Sequence, residues 1–301
     1  MKIFVTGASG HIGSLVVPEL LGDGHSVIGL ARSDESAEAI ISMGAEAHRG
    51  SLDDVEGLAA VAKSADGVIH LAFRHDLMRT GEMMAAAESD AKAVKVMGEA
   101  LVGSSKPFVG VSGTLGLGFA KLGRTGTEND ASPAGPRTDT ENYVIALAGR
   151  GVVSSVVRLA PTVHGPKDNP TGFIPTLIRI AREKGFAGYI GDGSNRWPAV
   201  HELDAAVLFR LAVEKAPAGM RIHGVGDEGV TFKEIAETIG KHVGVPAQSV
   251  SQEDAAAHFG HLAGFVGVDN PTSSEITRST LDWNPTHPGL IEGMDTGNYF
   301  N

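Results

Sequence analysis

The sequence predicts an α/β fold, a doubly wound parallel sheet with a smaller C-terminal α/β substrate-binding part, on three observations. Short runs of Val, Ile and Leu alternate with amphipathic stretches through the first half of the chain. The runs are apolar at successive positions rather than at every second one, as strands covered on both faces are. A glycine-rich turn joins the first run to the first amphipathic stretch. Residues 2–6 (KIFVT) read as a buried strand and 11–22 as a helix; 26–30 (SVIGL) read as a second strand, with a helix near 34–43. A short strand near 46–48 precedes a helix near 53–64, and 67–72 (GVIHLA) form a fourth strand before a long helix within 80–103. Residues 107–112 (PFVGVS) are the fifth strand, 138–149 a helix and 153–159 (VSSVVRL) the sixth strand. Right-handed crossovers between parallel strands then wind helices onto both faces.

The second half is less regular. Helices are expected at 172–184, 203–214 and 231–243, where Thr231 and Glu234 form a capping box, with short strands near 187–190 and 220–224. The division expected is a nucleotide-binding unit over 1–165, to which 200–225 return, and a substrate-binding part over 166–301. The loop 113–136 carries six glycines and two prolines, and a loop of that length inside a compact domain is usually functional.

Composition narrows the partners. A net charge of −11 argues against nucleic acid and anionic membranes, which need a basic footprint. With no cysteine there is no disulfide, thiolate metal site or cysteine nucleophile. The start, MKIFVTGASG, enters a strand at once and lacks the parts of a signal peptide, and no apolar run reaches the roughly 18 residues that span a bilayer, so a cytoplasmic protein acting on a small molecule is expected.

The turn TGASGHIG gives each glycine a mechanical task. Gly7 makes the tight turn, Gly10 lets backbone approach a pyrophosphate, and Gly13 lets the helix pack on the strand, so Gly7, Ser9, Gly10, His11, Ile12 and Gly13 are expected against the cofactor of a Rossmann-type fold. At the end of the second strand stands Arg32-Ser33 rather than an acid, which favours the 2′-phosphate of NADP; the alternative is NAD with Asp34 serving the ribose.

With these residues in view the chain resembles the short-chain dehydrogenase/reductase superfamily, in its extended, epimerase/dehydratase-like branch, over nearly its whole length. TGASGHIG resembles that branch's TGxxGxxG, and Gly50-Ser51-Leu52-Asp53 its GDL-type motif, which implies that Ser51 and Leu52 lie by the adenine. His70-Leu71-Ala72-Phe73 resembles the strand-four motif, which implies that Leu71, Ala72 and Phe73 line the adenine ribose, while Asp90 falls where the family has a structural Asn. Val111-Ser112-Gly113-Thr114 resembles the catalytic-serine segment. Arg158 to Pro166 resembles RPxxVYGP, with His164 in place of Tyr, which implies Pro161 and Val163 by the nicotinamide. Gly191-Asp192-Gly193 with Val200-His201 and Asp204 resembles the later GDG…VHVDD segment.

One departure bears on mechanism. The family's proton donor is the Tyr of YxxxK, and none of Tyr143, Tyr189 and Tyr299 is followed by Lys four residues on. Counting back from Arg158 puts Pro133 at the Tyr position and Arg137 at the Lys position, where it can hold the ribose but cannot act as an acid near neutrality. Ser112, His164 and Thr114 are the candidate replacements, His164 because imidazole titrates near neutrality. His75, Trp197 and His201 are candidate substrate residues. His258 and His261 lack further ligands nearby, so no metal is expected. The function expected is an NADP-dependent oxidoreductase that reduces a small aldehyde or ketone. The alternatives are a non-catalytic NADP-binding regulatory protein and a nucleotide-sugar epimerase or dehydratase. The resemblance also implies a homodimer through the 80–103 and 138–149 helices.

Overall fold

Burial along the strands is continuous: Ile3 to Thr6, Val27 to Ala31 and Gly67 to His70 are buried at every position, so the sheet they build is covered on both faces. The computed structural model describes residues 1–131, 135–297 and 299–300. Strands within these are β1 (Lys2–Thr6), β2 (Ser26–Ala31), β3 (Glu46–Arg49), β4 (Gly67–His70), β5 (Pro107–Gly113), β6 (Val153–Leu159), β7 (Thr162–His164), β8 (Ala187–Ile190), β9 (Arg196–His201), β10 (Met220–Gly224), β11 (Asp227–Thr231) and β12 (Ala247–Val250). The first ten helices are α1 (Gly13–Gly22), α2 (Asp34–Ser42), α3 (Val55–Ser64), α4 (His75–Arg79), α5 (Met83–Leu101), α6 (Leu115–Phe119), α7 (Pro136–Ala146), α8 (Phe173–Lys184), α9 (Glu202–Lys215) and α10 (Phe232–Val243).

Seven strands form one parallel sheet in the order β3-β2-β1-β4-β5-β6-β10. The chain runs outward from β1 to β3, then returns to the other side of β1 at β4. The crevice outside the carboxyl ends of β1 and β4 is therefore the topological switch point, where such sheets bind ligands. One face is sealed by α1 and α9 with Leu15, Val16, Leu20, Leu208 and Phe209. The other is sealed by α3, α5 and α7 with Leu58, Val94, Met97 and Val144. The seventh strand is β10, which pairs in parallel with β6, and α9 just before it packs on α1.

A separate apolar cluster around Ile174, Leu177, Trp197, Phe232, Ile235 and Phe259 holds the rest of the C-terminal half together. It underlies a three-stranded sheet, β11-β9-β7, beside the β8–β12 pair. Parallel pairing of β7 with β9 sets His164 opposite His201.

Several local features differ from the sequence reading. The long helix expected within 80–103 is α5, and a short helix not expected, α4, precedes it, parted from it at Thr80–Glu82, where Gly81 has φ +86°. The 113–136 loop contains α6. At α10 the Thr231 hydroxyl accepts from the Glu234 N–H, which is one half of the expected box, while the full reciprocal arrangement occurs at Ser33 and Ser36 on α2. Among the described residues, no helix is long and apolar enough to cross a membrane.

Candidate cofactor and active site

The turn after β1 is built for close approach. Gly7 has φ +69°, and a Cβ there would stand 2.8 Å from the Ala72 amide nitrogen, so both the backbone conformation and the exit of β4 exclude a side chain. A Cβ on Gly13 would collide with the Gly7 carbonyl, which is why α1 can start directly against the turn. Gly10 is exposed at the tip, its N–H donating to Gly7 at 2.9 Å. The first turn of α1 brings its partial positive charge to this loop, which favours a phosphate, while its Ser14 and Leu15 N–H groups bond the Gly10 and Ile12 carbonyls. These features fit a dinucleotide. The strand ends are locked together: Thr6 Oγ1 accepts from the Ala72 N–H at 3.2 Å and lies 2.7 Å from His70 Nδ1, whose other nitrogen is 3.1 Å from Asp90. Asp90 thus ties α5 to β1 and β4.

Arg32 is exposed at the end of β2 and pairs with no described residue. Beside it, the Ser33 hydroxyl is taken up in capping α2, so its side chain is not free to donate outward as expected. Asp34 pairs with Arg49 at 3.2 Å. Ser51 Oγ accepts from the Asp53 N–H, and Leu52 is buried against β2 and α3, while Leu71, Ala72 and Phe73 are half-buried at the end of β4. Pro161 and Val163 are half-buried between β6 and β9.

At the end of β5, Ser112 donates to Glu141 Oε2 at 2.6 Å. Glu141 comes from α7 and is the hub of a network that the sequence reading missed. Arg158, wholly buried on β6, forks onto it at 2.6–3.2 Å, and Arg221 on β10 donates at 2.8 Å. The Arg158 Nη1 also donates to the Asp130 carbonyl at 2.8 Å. Burial alone would raise the Glu141 carboxyl; the Arg158 fork, with Ser112 and Arg221, outweighs it and holds the group below its ordinary range, ionised. The only sequence signal for Glu141 was its place one helical turn after Arg137.

Arg137 lies between two strand ends. Its Nη2 donates to the Val111 carbonyl on β5 at 3.1 Å, and its guanidinium carbon sits 4.2 Å from the centre of the Phe73 ring beyond β4. Pro133, its counterpart at the Tyr position, lies outside the described residues.

Four expected site residues are placed elsewhere. Thr114 is wholly buried and accepts from Asn270 Nδ2 at 3.0 Å, anchoring α6 rather than facing a cleft. His164 is wholly buried edge-on to His201, and neither ring nitrogen has a partner. Burial, reinforced by His201, pushes its pKa down to about 4, so near neutrality the ring is uncharged and no general acid. Trp197 is a core residue, packed edge-on to Phe173 and Phe232 with its indole N–H on the Val268 carbonyl. His201 caps α9, its Nδ1 accepting from the Leu203 N–H, and stacks on His287. His75 alone of the three substrate candidates is exposed, at the start of α4 and edge-on to Phe73.

Further groups gather near the turn. His11 Nε2 is 3.0 Å from Glu202, which also accepts from the Lys167 N–H. Tyr299 returns from the C-terminal end to donate to Asp168 at 2.8 Å and accept from the Gly165 N–H. Burial raises the Asp168 carboxyl to about 6 despite the Tyr299 bond. His201, Asp204 and His287 also converge, but Asp204 is already taken by the Thr286 and His287 N–H groups and His287 Nδ1, so it fastens a loop to α9. Beyond α6 an open cavity of about 410 Å³ lies between Leu117, Phe119, Leu122, Val268 and Pro271.

Comparison with known proteins agrees with the glycine turn. Residues 7–130 match the family described as NAD(P)H-binding. An uncharacterized protein of Schizosaccharomyces pombe is 45% identical over 302 residues, 100% of each chain. The chain belongs to the NAD(P)-binding family of extended, epimerase/dehydratase-type short-chain dehydrogenases/reductases. Sterol-4-alpha-carboxylate 3-dehydrogenase, decarboxylating, of Dictyostelium discoideum is 25% identical over 244 residues, covering 77% of this chain and 73% of its own. Among solved structures, UDP-glucose 4-epimerase of Thermotoga maritima superposes with a TM-score of 0.75 at 21% identity, covering 98% of this chain and 96% of its own, and so shares the fold. The chain is accordingly an NAD(P)-binding protein of oxidoreductase type.

Proposed function

We propose that this protein is an NADP-dependent oxidoreductase that reduces a small aldehyde or ketone. The reading is carried by one observation: the glycine turn, Arg32 and Ser112 stand at the carboxyl ends of β1, β2 and β5, along one edge of a contiguous sheet. Bound there, the reduced nicotinamide supplies hydride to the carbonyl carbon. Arg32 holds the 2′-phosphate, a role its exposed and unpaired guanidinium suits and one that Asp34, paired to Arg49, does not compete for. The backbone of Gly7, Ser9, Gly10, His11, Ile12 and Gly13 holds the pyrophosphate, with Ser51, Leu52, Leu71, Ala72 and Phe73 about the adenosine and Pro161 and Val163 toward the nicotinamide.

Ser112 swings its one O–H from Glu141 to the carbonyl oxygen as negative charge develops there. Glu141 accepts that O–H in the resting protein; pinned as a carboxylate by two arginines, it is not itself the proton source. The proton of the product alcohol comes from water. His164 and Thr114, closed inside the protein, take no part. The test is NADPH oxidation against a panel of aldehydes and ketones, with Ser112→Ala beside the wild type. Removing one such donor lowers kcat roughly 100-fold; an unchanged kcat removes Ser112 from the site.

A second reading, a non-catalytic NADP-binding sensor, is favoured by the commitment of the Ser112 proton to Glu141 and the burial of His164. Micromolar NADPH binding without turnover of any carbonyl supports it. The epimerase or dehydratase reading is weakest, since those reactions lean on the tyrosine of YxxxK.

A further inference from the structure

The Arg137 side chain is half-buried, and no carboxylate among the described residues hydrogen-bonds it. Its one acceptor there is the neutral Val111 carbonyl, and its face rests on Phe73. Burial pulls its pKa below the ordinary value, with Asp90 and Glu141 offsetting this only through space. Both of those carboxylates are already engaged, Asp90 with His70 and Glu141 with Arg158, Arg221 and Ser112. The neighbouring sequence Ser132-Pro133-Ala134 contains no acid. A half-buried cation with no carboxylate bonded to it, at the binding edge of a sheet, is suited to a ligand that brings the complementary charge.

That charge is not one of the cofactor's in the arrangement proposed above. The cofactor's phosphates lie over β1 and β2, at the glycine turn and Arg32. Arg137 lies over the β4–β5 gap, on the far side of β4 from β1. Ribose hydroxyls, the role the lysine-like position implies, offer dipoles but no negative charge. Arg137 stands one turn before Glu141 on α7, and Glu141 holds the Ser112 hydroxyl, so a molecule held by the guanidinium lies on the helix face turned toward Ser112. The guanidinium rests on the Phe73 ring, and all but one of its five N–H donors are unspent on described carboxylates or carbonyls, which leaves its planar fork able to receive a carboxylate bidentately.

The geometry points to Arg137 as the anchor for a substrate carboxylate, which makes the substrate an oxo acid whose carbonyl lies beside its acid group. This rests on the hydride-transfer reading and narrows it. In the reaction the carbonyl takes hydride from the cofactor and a proton from water to become a hydroxyl, and the carboxylate is unchanged.

The test uses full-length protein and matched probes: 2-oxobutanoate with its methyl ester, and 2-oxooctanoate with 2-octanone. Wild type should favour the acid of each pair in kcat/KM by roughly ten- to hundredfold, the worth of a charged hydrogen-bonding pair. Arg137→Gln should abolish the preference mainly through KM, and Arg137→Lys should retain part of it. Equal use of acid and neutral partner by the wild type overturns the inference, as does an Arg137→Gln loss that is equal for both. A rise in the NADPH Kd with the acid preference intact also overturns it, by assigning the residue to the cofactor. If no carbonyl is reduced, the hydride-transfer reading fails instead. Titrating 2-oxobutanoate into the NADP⁺ complex by calorimetry then decides the matter: binding lost in Arg137→Gln sustains the carboxylate site, and no binding by wild type ends it. Thermal unfolding of each variant identifies a loss that is due only to misfolding.

Discussion

Replacing Glu141 by Gln should destabilise the protein as few single changes on its surface would. The substitution keeps the shape and one acceptor oxygen but removes the charge that faces Arg158, which has no exposed surface, and Arg221. What then holds the Arg158 guanidinium is the Asp130 carbonyl at 2.8 Å and the nearby His223 ring. Removing one partner of a buried pair costs about 3–5 kcal/mol, and the retained amide oxygen places this change near the lower end, at about 3 kcal/mol. For a chain of this size each kcal/mol moves Tm by roughly 2 °C, so a fall of about 6 °C is expected. Because water and ions do not reach the pair, the fall should be the same in low and high salt. Glu183→Gln is the control: that carboxylate forms an exposed i,i+4 pair with Arg179, and its loss should shift Tm by less than about 1 °C. Differential scanning calorimetry of the three proteins reads this directly. A Glu141→Gln Tm within 1 °C of wild type, or a fall that disappears in high salt, would refute the buried network as described.

Other consequences are separable from that one. Arg32→Asp should weaken NADPH binding far more than NADH binding in calorimetric titration, and equal losses would remove Arg32 from the 2′-phosphate. Asp168 is raised by burial from 3.8 to about 6, so the folded protein holds that proton more tightly than the unfolded chain. The resulting stabilisation is complete below pH 3.8 and lost as pH rises through 6. Asp168→Asn should therefore match wild-type stability near pH 4 and exceed it at pH 8 by up to about 3 kcal/mol; an equal difference at both pH values contradicts the assignment. Trp197→Ala should lose about 3–5 kcal/mol in denaturant unfolding, as a core truncation does, whereas a pocket residue would alter KM with little change in stability.

The sheet was legible because its signals are local. Continuous burial of Ile3-Phe4-Val5 and Val68-Ile69, and glycines whose missing Cβ atoms keep the turn open, need no knowledge of the rest of the chain. The site was legible only in part. Ser112 and Arg137 are brought to neighbouring strand ends, as their places in sequence suggest, but Thr114 and His164 turn inward. The direction in which a residue at the end of a strand points depends on what packs above it, and here Asn270 and the β9 sheet take those two side chains. Glu141 was missed because a glutamate on an amphipathic helix usually faces water; two arginines from β6 and β10, distant in sequence, draw it in. Tyr299 and Asp168 are 131 residues apart, and no spacing rule joins them. The short strands β7, β9 and β11 escaped because their pairing with one another, not their composition, makes them strands.

The central claim is that hydride passes from a nicotinamide at this sheet edge to a carbonyl carbon. Incubating the protein with NADPH deuterated at C4 and a reducible oxo acid, then analysing the product by mass spectrometry and proton NMR, tests it most directly. The account predicts a hydroxy acid with one deuterium on the carbinol carbon, formed on one face, and greatly slowed in Ser112→Ala. Tight NADPH binding with no deuterium transferred to any carbonyl would contradict it.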